Sequence, residues 1–478
     1  MTEHTPELEF KKELSIQETP IPGLLVMDLT VNPDPRGWFK ENYNRKTMVA
    51  LGLPDFDPQQ NNISFNDTRG TIRGIHAEPW DKFVSVASGR IFGAWVDLRE
   101  GDTFGQVHTL ELGPDKAVFV PRGVGNAFQT LEDNTAYSYL VNDHWVPGGE
   151  NYAFLNLGDP TSAIDWPIPL SESKMSEKDE AHPFISEVEK IKPRKILITG
   201  ANGQLGKALQ IEFPDAEFVD RSSFDITDTS TWGNRNWRQY SAIINAAANT
   251  KVDDAETSEG RKEAWKANAT AVKDLAHLAI ENHLTFVHVS SEYVFDGTQE
   301  VHTEDEAFSP LGVYGQSKAA GDVAAASAPM HYIIRTSGVV GDGGNFVKTM
   351  EKLARNGINP PVVIDEVGRP TFTEDLAKGI KHLLETKAPY GTYNLSNDGP
   401  IVSRYELARE IFRLTGHDPE RVSEQTAQDF IDGKIAKEQP VTIRPLQTTL
   451  SLDKIINAGF APRRWDTALR EYLEQQQS

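Results

Sequence analysis

The pattern of apolar residues changes at Lys195, and this change constrains the fold more than any other feature. From about residue 20 to 160, short apolar runs follow one another with almost no helix-period segment between them. Strands alone are typical of a β-sandwich or barrel, whereas strands that alternate with helices indicate a parallel doubly wound sheet. The alternating strands after residue 194 are KILIT (195–199), AIINAA (242–247), LTFVHVS (284–290) and HYIIRTS (331–337). We therefore predict an all-β jelly-roll (cupin-like) barrel followed by an α/β Rossmann-type sheet.

Two segments of the first half predict β-hairpins. The segment 82–98 has two apolar runs around Ser88-Gly89, and the segment 106–131 has a turn at Gly113-Pro114-Asp115. In the second half, a long helical stretch runs from Arg261 to Glu281.

The junction of the halves is SEKDEAHPFISEVEKIKPRK (176–195), which is rich in charge, carries two prolines and shows no clean apolar period. Such a composition is typical of a linker. A chain of 478 residues also exceeds a single ordinary core. We predict a first domain over 1–185, a linker over 186–194 and a second domain over 195–478.

The composition excludes several classes of function. A net charge of −22 argues against nucleic acid or an anionic membrane surface as a partner. The absence of cysteine excludes disulfides, thiol nucleophiles and cysteine–zinc sites. The N-terminal segment is polar, and nowhere do eighteen apolar residues run together, so we expect no signal peptide, no membrane span and a cytoplasmic location.

The segment ITGANGQLGKAL predicts a dinucleotide site. Its glycines follow a strand and open a helix, where they permit a tight turn and a close approach of the backbone, and the helix N-terminus faces the pyrophosphate. About 20 residues on, FVDRSSFDITD brings acidic and basic side chains to the expected ribose. Asp220 favours NADH, but Arg221 could hold a 2′-phosphate, so the sequence leaves NADH and NADPH open. The predicted contacts are Gly200, Asn202, Gly203, Gln204, Leu205, Gly206, Asp220, Arg221 and Asp225.

The segment YGQSK places Tyr314 and Lys318 four residues apart at the start of a helix, and hence on one face. A lysine ammonium beside a phenol lowers the pKa of the tyrosine, which suits it to proton donation near neutral pH. An ordinary surface pair has the same spacing, but the position after the strand end VSSEYVFDG favours a catalytic pair.

These motifs resemble the extended short-chain dehydrogenase/reductases. Together with INAAANTKVDDAE, RTSGVVGDGGNFVKTM, GRPTFTEDLA, GTYNLS and RPLQTTLSLDK, they are similar to dTDP-4-dehydrorhamnose reductase over nearly all of 195–478. The resemblance implies a small C-terminal substrate lobe and NAD(P)H-dependent reduction of the C4 ketone of a nucleotide-linked 4-keto-6-deoxy sugar.

The resemblance also assigns roles to residues. Ser291 would hydrogen-bond the substrate carbonyl, Tyr314 would give the proton, and Lys318 would also steady the nicotinamide ribose. Gly338 departs from the family, which commonly has Trp after RTS. The remaining implied contacts are Ala246, Ala247, Lys251 and Asn268 for the cofactor, and Asn345 and Arg369 for the substrate.

The segment TIRGIHAEPWDKFVSV places Arg73, His76 and Lys82 within ten residues of one another in the strand-rich half. A lone histidine in a barrel is more often structural than catalytic. Cupin-like barrels that bind metals usually offer an HxH pair, and IHAEP has one histidine, so we predict no metal.

The first half resembles dTDP-4-dehydrorhamnose 3,5-epimerase. The matching pieces are DPRGWFKENYN, QNNISF, TIRGIHAEPWDKFVSVASG, VDLREGDTFGQ, VPRGVGNAF, YLVNDHWVP and DWP. The resemblance implies proton chemistry without a cofactor: His76 abstracts a proton next to the ketone, Lys82 stabilises the enolate, and Tyr139 returns a proton to the opposite face.

Further residues follow from the same resemblance. Arg36 matches a position that reaches a neighbouring subunit, which implies a homodimer through this domain. Asn126 stands where the family has a histidine near the site. The pattern MSEKDEAHP makes Asp179 the candidate partner of His76, with Asp165 as the rival, so that the stretch through about Pro183 would fold onto the barrel. The implied nucleotide contacts are Phe39, Glu41, Gln60, Asn62 and Arg73.

Together the two resemblances imply a bifunctional enzyme that converts dTDP-4-dehydro-6-deoxy-D-glucose to dTDP-L-rhamnose. Two alternatives stay open. One is the same chemistry on another dTDP- or UDP-linked 4-keto-6-deoxy sugar. The other is a non-catalytic regulatory or binding subunit with these folds, against which the complete sets of catalytic residues argue.

Overall fold

The structure is a computed structural model, and it describes residues 8–144, 152–233 and 235–477. The chain divides into two compact units, Met1–Pro193 and Arg194–Ser478. Within the described ranges, no helix has the length and apolar content needed to cross a membrane. Residues 145–147 of the segment YLVNDHWVP lie outside the described residues.

The first unit is a two-sheet antiparallel jelly roll. One sheet has the strand order β1-β2-β10-β7-β12-β5 and the other β13-β6-β11-β8-β9, while β3 and β4 form a separate hairpin. The strands are β1 Ser15–Glu18, β2 Leu25–Asp28, β3 Val31–Asp34, β4 Gly37–Lys40, β5 Gln60–Asn66, β6 Ile72–Ala77, β7 Lys82–Ser88, β8 Ile91–Asp97, β9 Val107–Leu112, β10 Lys116–Val120, β11 Val124–Thr130, β12 Thr135–Val141 and β13 Ala153–Phe154. The helices are α1 Arg45–Ala50 and α2 Glu177–Glu180.

The two predicted hairpins are wrong, although the turns are where the sequence places them. β7 and β8 flank Gly89, but β7 pairs with β10 and β12, whereas β8 pairs with β9 and β11 in the other sheet. β9 and β10 are likewise in different sheets. Each turn carries the chain across the barrel, because both apolar strands then bury their side chains in the shared core from opposite sides.

Most of the predicted linker 186–194 packs against the first unit. Ile185, Val188 and Ile191 are buried in the hydrophobic cluster of the barrel. The backbone of Ile191 also donates to Leu98 and accepts from Glu100, each at 2.9 Å. Apolar residues at every third position dock this charged segment, and the linker prediction overlooked that spacing.

The second unit contains a six-stranded parallel sheet in the order β15-β14-β16-β17-β18-β23. The strands of this unit are β14 Lys195–Thr199, β15 Glu217–Val219, β16 Tyr240–Asn245, β17 Thr285–Ser291, β18 His331–Thr336, β19 Val339–Val340, β20 Pro361–Val363, β21 Val367–Gly368, β22 Thr371–Phe372, β23 Gly391–Asn394, β24 Val402–Ser403 and β25 Ser423–Gln425. The helices are α3 Gln204–Glu212, α4 Ser258–Trp265, α5 Ala271–Glu281, α6 Val313–Ala325, α7 Phe346–Arg355, α8 Thr373–Glu385, α9 Arg404–Leu414, α10 Ala427–Ile435, α11 Asp453–Asn457 and α12 Trp465–Gln477.

The topology of this sheet fixes where a ligand can bind. From β14 the chain moves outward to β15 and then returns to β16 on the other side of β14. Ligands of open α/β sheets bind beyond the carboxyl ends of the strands at such a switch point. A π-helical turn, Lys266–Thr270, interrupts the predicted long helix between α4 and α5. A separate apolar cluster, formed largely by α7, α9 and α12, builds a small lobe beside the sheet.

Candidate active sites

The jelly roll holds a cavity of about 470 Å³. Strands β6, β7, β11 and β12 supply most of its wall, and β5 supplies its apolar rim. Its lining residues are Ile63, Ser64, Phe65, Arg73, His76, Glu78, Lys82, Asn126, Phe128, Tyr137 and Tyr139. Four candidate residues from the sequence, His76, Lys82, Tyr139 and Arg73, therefore meet in one place, and Asn126 joins them.

Asp179 forms a hydrogen bond with His76, with 2.8 Å between Oδ1 of Asp179 and Nε2 of His76. Ser176 caps α2 by accepting from the backbone N–H of Asp179, which fixes the carboxylate. Burial disfavours its charged form, but the hydrogen bond and the charge of His76 outweigh burial and hold the pKa of Asp179 below its ordinary value. The rival Asp165 is exposed.

A second histidine lies beside this pair and was not found from the sequence. Nε2 of His182 is 3.9 Å from Oδ1 of Asp179, the same oxygen that meets His76. The ring of Phe154 stacks on His182 at 4.9 Å and meets the edge of His76 at 5.6 Å. Burial lowers the pKa of His182, and the charge of His76 lowers it further. The spacing of Asp179 and His182, one helical turn apart, was the available signal.

Lys82 is buried and pairs with Glu78, a carboxylate that sequence reasoning also missed. The ammonium of Lys82 lies 5.7 Å from the ring centre of Tyr139. Burial, together with the charge of Glu78, raises the pKa of Tyr139, so its phenol keeps its proton at neutral pH. A cation and a protonated phenol thus face the cavity together.

Asn126 lies directly across the sheet from His76, as their Cα atoms pair between β11 and β6. Its side-chain oxygen accepts a hydrogen bond of 3.2 Å from the hydroxyl of the buried Tyr137. An amide therefore occupies this position in the cavity wall, and it cannot titrate as a histidine would.

The other nucleotide contacts expected in this unit do not line its cavity. Arg36 pairs with Asp34 on the hairpin of β3 and β4, and Phe39 on the same hairpin is 67% exposed. Glu41 accepts from Asn44, and Gln60 donates to Asn62 on β5.

The second unit holds a larger cavity of about 1350 Å³ at the switch point of its sheet. It extends from the glycine turn after β14 to the ends of β16 and β17 and to the loop after β19. The expected residues that line it are Gly200, Asn202, Gly203, Gln204, Leu205, Asp220, Arg221, Asp225, Ala246, Ala247, Lys251, Ser291, Tyr314 and Lys318.

The glycine turn has no space for side chains. Gly200 has a φ of +73°, and a Cβ on it would lie 2.8 Å from Ala246. A Cβ on Gly206 would lie 2.1 Å from the carbonyl oxygen of Gly200. These glycines bring α3 tightly against the turn, so the backbone N–H groups at its N-terminus face the cavity, an arrangement suited to a pyrophosphate.

Asp220 lies just past β15, where its carboxylate accepts from Ser222, Ser223 and Asn202. The hydrogen bond from the Ser222 hydroxyl and those from the backbone lower the pKa of Asp220 to about 2. Arg221 forms an ion pair of 3.2 Å with Asp225. Both signs of charge therefore border the ribose end of the cavity.

Ser291, Tyr314 and Lys318 meet at the end of β17. The hydroxyl of Ser291 donates to Oε2 of the buried Glu292 at 2.6 Å, and Lys318 donates to the carbonyl of Val289 at 2.7 Å. Burial lowers the pKa of Lys318 to about 8. The pKa of Tyr314 is raised, contrary to the sequence prediction, because burial and the nearby Glu292 carboxyl outweigh any effect of the lysine.

Three expected contacts make hydrogen bonds within the fold and do not line this cavity. Asn268, in the π-helical turn, holds the loop at Asn249 with hydrogen bonds of 2.8 and 2.9 Å and lies behind the cavity. Asn345 caps α7 and bonds Gly341. Arg369 donates to the carbonyl of Gly399 and lines an adjoining small pocket. Asn268 also donates to the hydroxyl of Ser317, and Asn345 donates to the hydroxyl of Tyr472, so both amides are held within the fold by contacts that motif position does not show.

Several lining residues were missed by the sequence prediction. Glu292 faces the cavity beside Ser291, and Arg404 contributes a cation from the small lobe. A Cβ on Gly338 would lie 3.7 Å from the guanidinium of Arg404, so this arginine stands next to the position where a tryptophan was expected. Gln204 bonds the loop at Gly341 and ties the nucleotide end to the substrate lobe.

The fold and the two cavities define a class: a jelly-roll unit with a histidine–aspartate pair, joined to a Rossmann unit of the extended short-chain dehydrogenase/reductase type. The family model described as dTDP-4-dehydrorhamnose 3,5-epimerase matches residues 18–187, and the one described as RmlD substrate binding domain matches residues 194–478. The chain therefore belongs to the dTDP-4-dehydrorhamnose 3,5-epimerase family in its first unit and to the dTDP-4-dehydrorhamnose reductase family in its second.

Individual relatives agree with this assignment. A Streptococcus pyogenes protein named RmlC homolog is 47% identical over 197 residues, which cover 40% of this chain and 99% of that protein. The dTDP-4-dehydrorhamnose reductase of Aggregatibacter actinomycetemcomitans is 35% identical over 294 residues, covering 58% of this chain and 97% of the reductase. The crystal structure of dTDP-4-dehydrorhamnose reductase from Bacillus anthracis in complex with NADP has a TM-score of 0.53 and 30% identity, covering 59% of this chain and 99% of that one.

Proposed function

We propose that this chain is a bifunctional enzyme of dTDP-L-rhamnose biosynthesis. The first unit epimerises C3 and C5 of dTDP-4-dehydro-6-deoxy-D-glucose, and the second reduces the C4 ketone. The observation that carries the proposal is that two separate cavities hold proton-transfer groups suited to successive steps. They are His76, Asp179, Lys82 and Tyr139 in the first unit, and Ser291, Tyr314 and Lys318 in the second.

In the first cavity, His76 removes a proton from a carbon next to the ketone. Asp179 orients the imidazole and stabilises the imidazolium that forms. The ammonium of Lys82 stabilises the negative charge that develops on the ketone oxygen. Tyr139, whose pKa is raised by burial, keeps a proton to return from the opposite face. Inversion needs an acid and a base on opposite faces of the ring, which accounts for two different groups.

In the second cavity, the turn at Gly200 and the N-terminus of α3 would hold the diphosphate of NAD(P)H, with Asp220 and Arg221 at the adenosine ribose. The fit is good because Gly200 and Gly206 allow α3 to pack tightly against the turn, and the first residues of α3 line the cavity with their backbone N–H groups. When bound, the cofactor supplies the hydride. Tyr314 gives its phenolic proton to the ketone oxygen, Ser291 hydrogen-bonds that oxygen, and the ammonium of Lys318 stabilises the phenolate left behind.

The first unit is proposed to work as a homodimer. Arg36 and Phe39 are exposed on a hairpin away from their own cavity. Strand β5 is the outer strand of its sheet, and it exposes Ile63 and Phe65 at the rim of that cavity. An exposed apolar outer strand favours association with a second chain. Light scattering should give a dimer for the full chain and a monomer for Phe39→Asp; an unchanged mass would contradict this interface.

The test of the joint function is a coupled assay with the 4-keto-glucose nucleotide as the sole sugar. The full chain should oxidise NADPH or NADH and release dTDP-L-rhamnose. His76→Ala should stop turnover at epimerisation, and Tyr314→Phe should stop it at reduction. No oxidation with either cofactor and either a dTDP or a UDP carrier would refute the proposal.

A mixture of the two variants separates the two sites. His76→Ala retains the second site and Tyr314→Phe retains the first, so the mixture should recover turnover if the intermediate is released between them. Each variant alone serves as the control. A mixture as inactive as its components, with both proteins folded and dTDP-4-dehydrorhamnose added directly also left unreduced by His76→Ala, would mean that the second unit does not catalyse its proposed step.

A further inference from the structure

His182 lies beside the first candidate active site, and the proposed reaction gives it no role. It presents an imidazole nitrogen to the oxygen of Asp179 that also meets His76. We propose that His76, Asp179 and His182 form a binding site for a divalent transition metal of the Zn²⁺ class, and that metal bound there switches off the epimerase unit. The inhibitory part of this inference rests on the proposed function.

The distances suit such an ion. One nitrogen of each histidine and one oxygen of Asp179 all lie within 4.8 Å of one another. Tetrahedral zinc with bonds of about 2.0–2.1 Å places its ligand atoms about 3.3 Å apart. The two distances to Asp179, 2.8 Å and 3.9 Å, each differ from that spacing by about 0.6 Å or less. The two histidine nitrogens lie within 4.8 Å of each other, so side-chain rotations that bring them closer would complete the site.

The surroundings hold the three side chains in place. His76 is on β6, and Asp179 is fixed by the cap of α2. Phe154 contacts both imidazole rings and restricts their rotation.

The donor set selects the class of metal. Two imidazole nitrogens and one carboxylate oxygen suit Zn²⁺ and Co²⁺ and leave a fourth position open, whereas Mg²⁺ and Ca²⁺ prefer oxygen ligands. Among the described residues, this is the one group of three or more histidine and acidic side chains found with metal-binding spacing. We therefore expect one transition-metal ion per chain to bind tightly at this site.

Occupancy would oppose the proton chemistry. A cation on Nε2 of His76 takes the place of the hydrogen bond to Asp179 and withdraws electron density from the imidazole. The ring then loses both its basicity and the carboxylate that stabilises its charged form. The second unit has none of these ligands, so its reaction should continue.

Binding is tested with Co²⁺ alone on the full chain, after dialysis against a chelator. We expect one Co²⁺ ion per chain to bind tightly and to give the visible absorption bands of protein-bound Co²⁺. His182→Gln should weaken it by at least about 100-fold, because even outer-shell partners are worth about 10- to 100-fold. His182→Asn should do the same, and His144→Gln, an exposed histidine of the same unit, is the matched control. Equal Co²⁺ binding by folded wild-type and His182→Gln chains would overturn the site.

Inhibition is tested separately with Zn²⁺. Epimerisation is followed by the uptake of solvent deuterium at C3 and C5, and the second unit by the oxidation of dTDP-L-rhamnose with NADP⁺ or NAD⁺ as the hydride acceptor. Zn²⁺ should stop deuterium uptake in the wild type, whereas uptake by His182→Gln with Zn²⁺ should equal the metal-free rate of that same variant, and the oxidation should be spared in both. Loss of deuterium uptake on treatment with chelator would overturn the inhibitory role. Absence of uptake in metal-free wild type would instead contradict the proposed function, while leaving the Co²⁺ result to decide the site.

Discussion

Replacing Asp179 with Asn tests the pairing with His76 on which the proposed epimerase site depends. The substitution keeps the size of the side chain and removes its charge. The imidazolium of His76 and the carboxylate are about 4 Å apart between charge centres, which at an effective dielectric constant of about 20 corresponds to about 4 kcal/mol. The His76 side chain is 35% exposed, so solvent screening reduces this figure to about 2–4 kcal/mol.

That energy corresponds to a slower epimerisation by about 30- to 1,000-fold, since each 1.36 kcal/mol is a factor of about ten. The assay is deuterium uptake at C3 and C5, and the oxidation of dTDP-L-rhamnose by the same preparation should be unchanged. Asp165→Asn, the same change at an exposed aspartate of the same unit, is the matched control. An unchanged rate of uptake in Asp179→Asn would refute the reasoning and return this segment to a structural role.

Three further outcomes follow from the second unit. Burial lowers the pKa of Lys318 to about 8, so its ammonium is present below that pH and lost above it. The value of kcat/KM for reduction should therefore fall about tenfold per pH unit above about 8, and a flat pH profile would contradict this. Glu292→Gln should retain most of kcat because an amide can still hold the Ser291 hydroxyl, whereas Glu292→Ala should lose about tenfold; equal rates would argue against this contact. Gly206→Ala should cost about 1–3 kcal/mol in chemical denaturation and raise the KM for NADPH, while Gly433→Ala, whose Cβ meets no atom within 4 Å, should cost neither.

Local periodicity carried most of the information about the fold. The run KILIT is β14 residue for residue, and Tyr314 and Lys318 lie on α6 as their spacing predicted. The glycine spacing likewise predicted a tight turn, and a Cβ on Gly200 or Gly206 would collide with its backbone. These features depend on interactions between residues close in sequence, so a single sequence is enough to find them.

The tertiary structure decided which distant surfaces meet. The same turn residues are compatible with a hairpin and with a crossing from one sheet to the other. After β7 the chain crosses, because the crossing buries both flanking strands in a shared core. Asn345 is polar, as residues that contact ligands often are, yet its hydrogen bonds cap α7 and hold the loop at Gly341.

The segment after residue 175 shows the same division. By composition it resembled a linker, and only similarity to a family singled out Asp179. The structure brings this aspartate to 2.8 Å from His76, 103 residues away in sequence, and places His182 beside it. The pattern of apolar residues by itself indicated two halves and their fold classes, because these follow from interactions between residues close in sequence, whereas most of the candidate reactive groups came from the resemblance to two families. Only the tertiary fold decided that Asp179 meets His76. The segment that carries Asp179 is held on the barrel by the burial of Ile185, Val188 and Ile191 against residues far away in the chain.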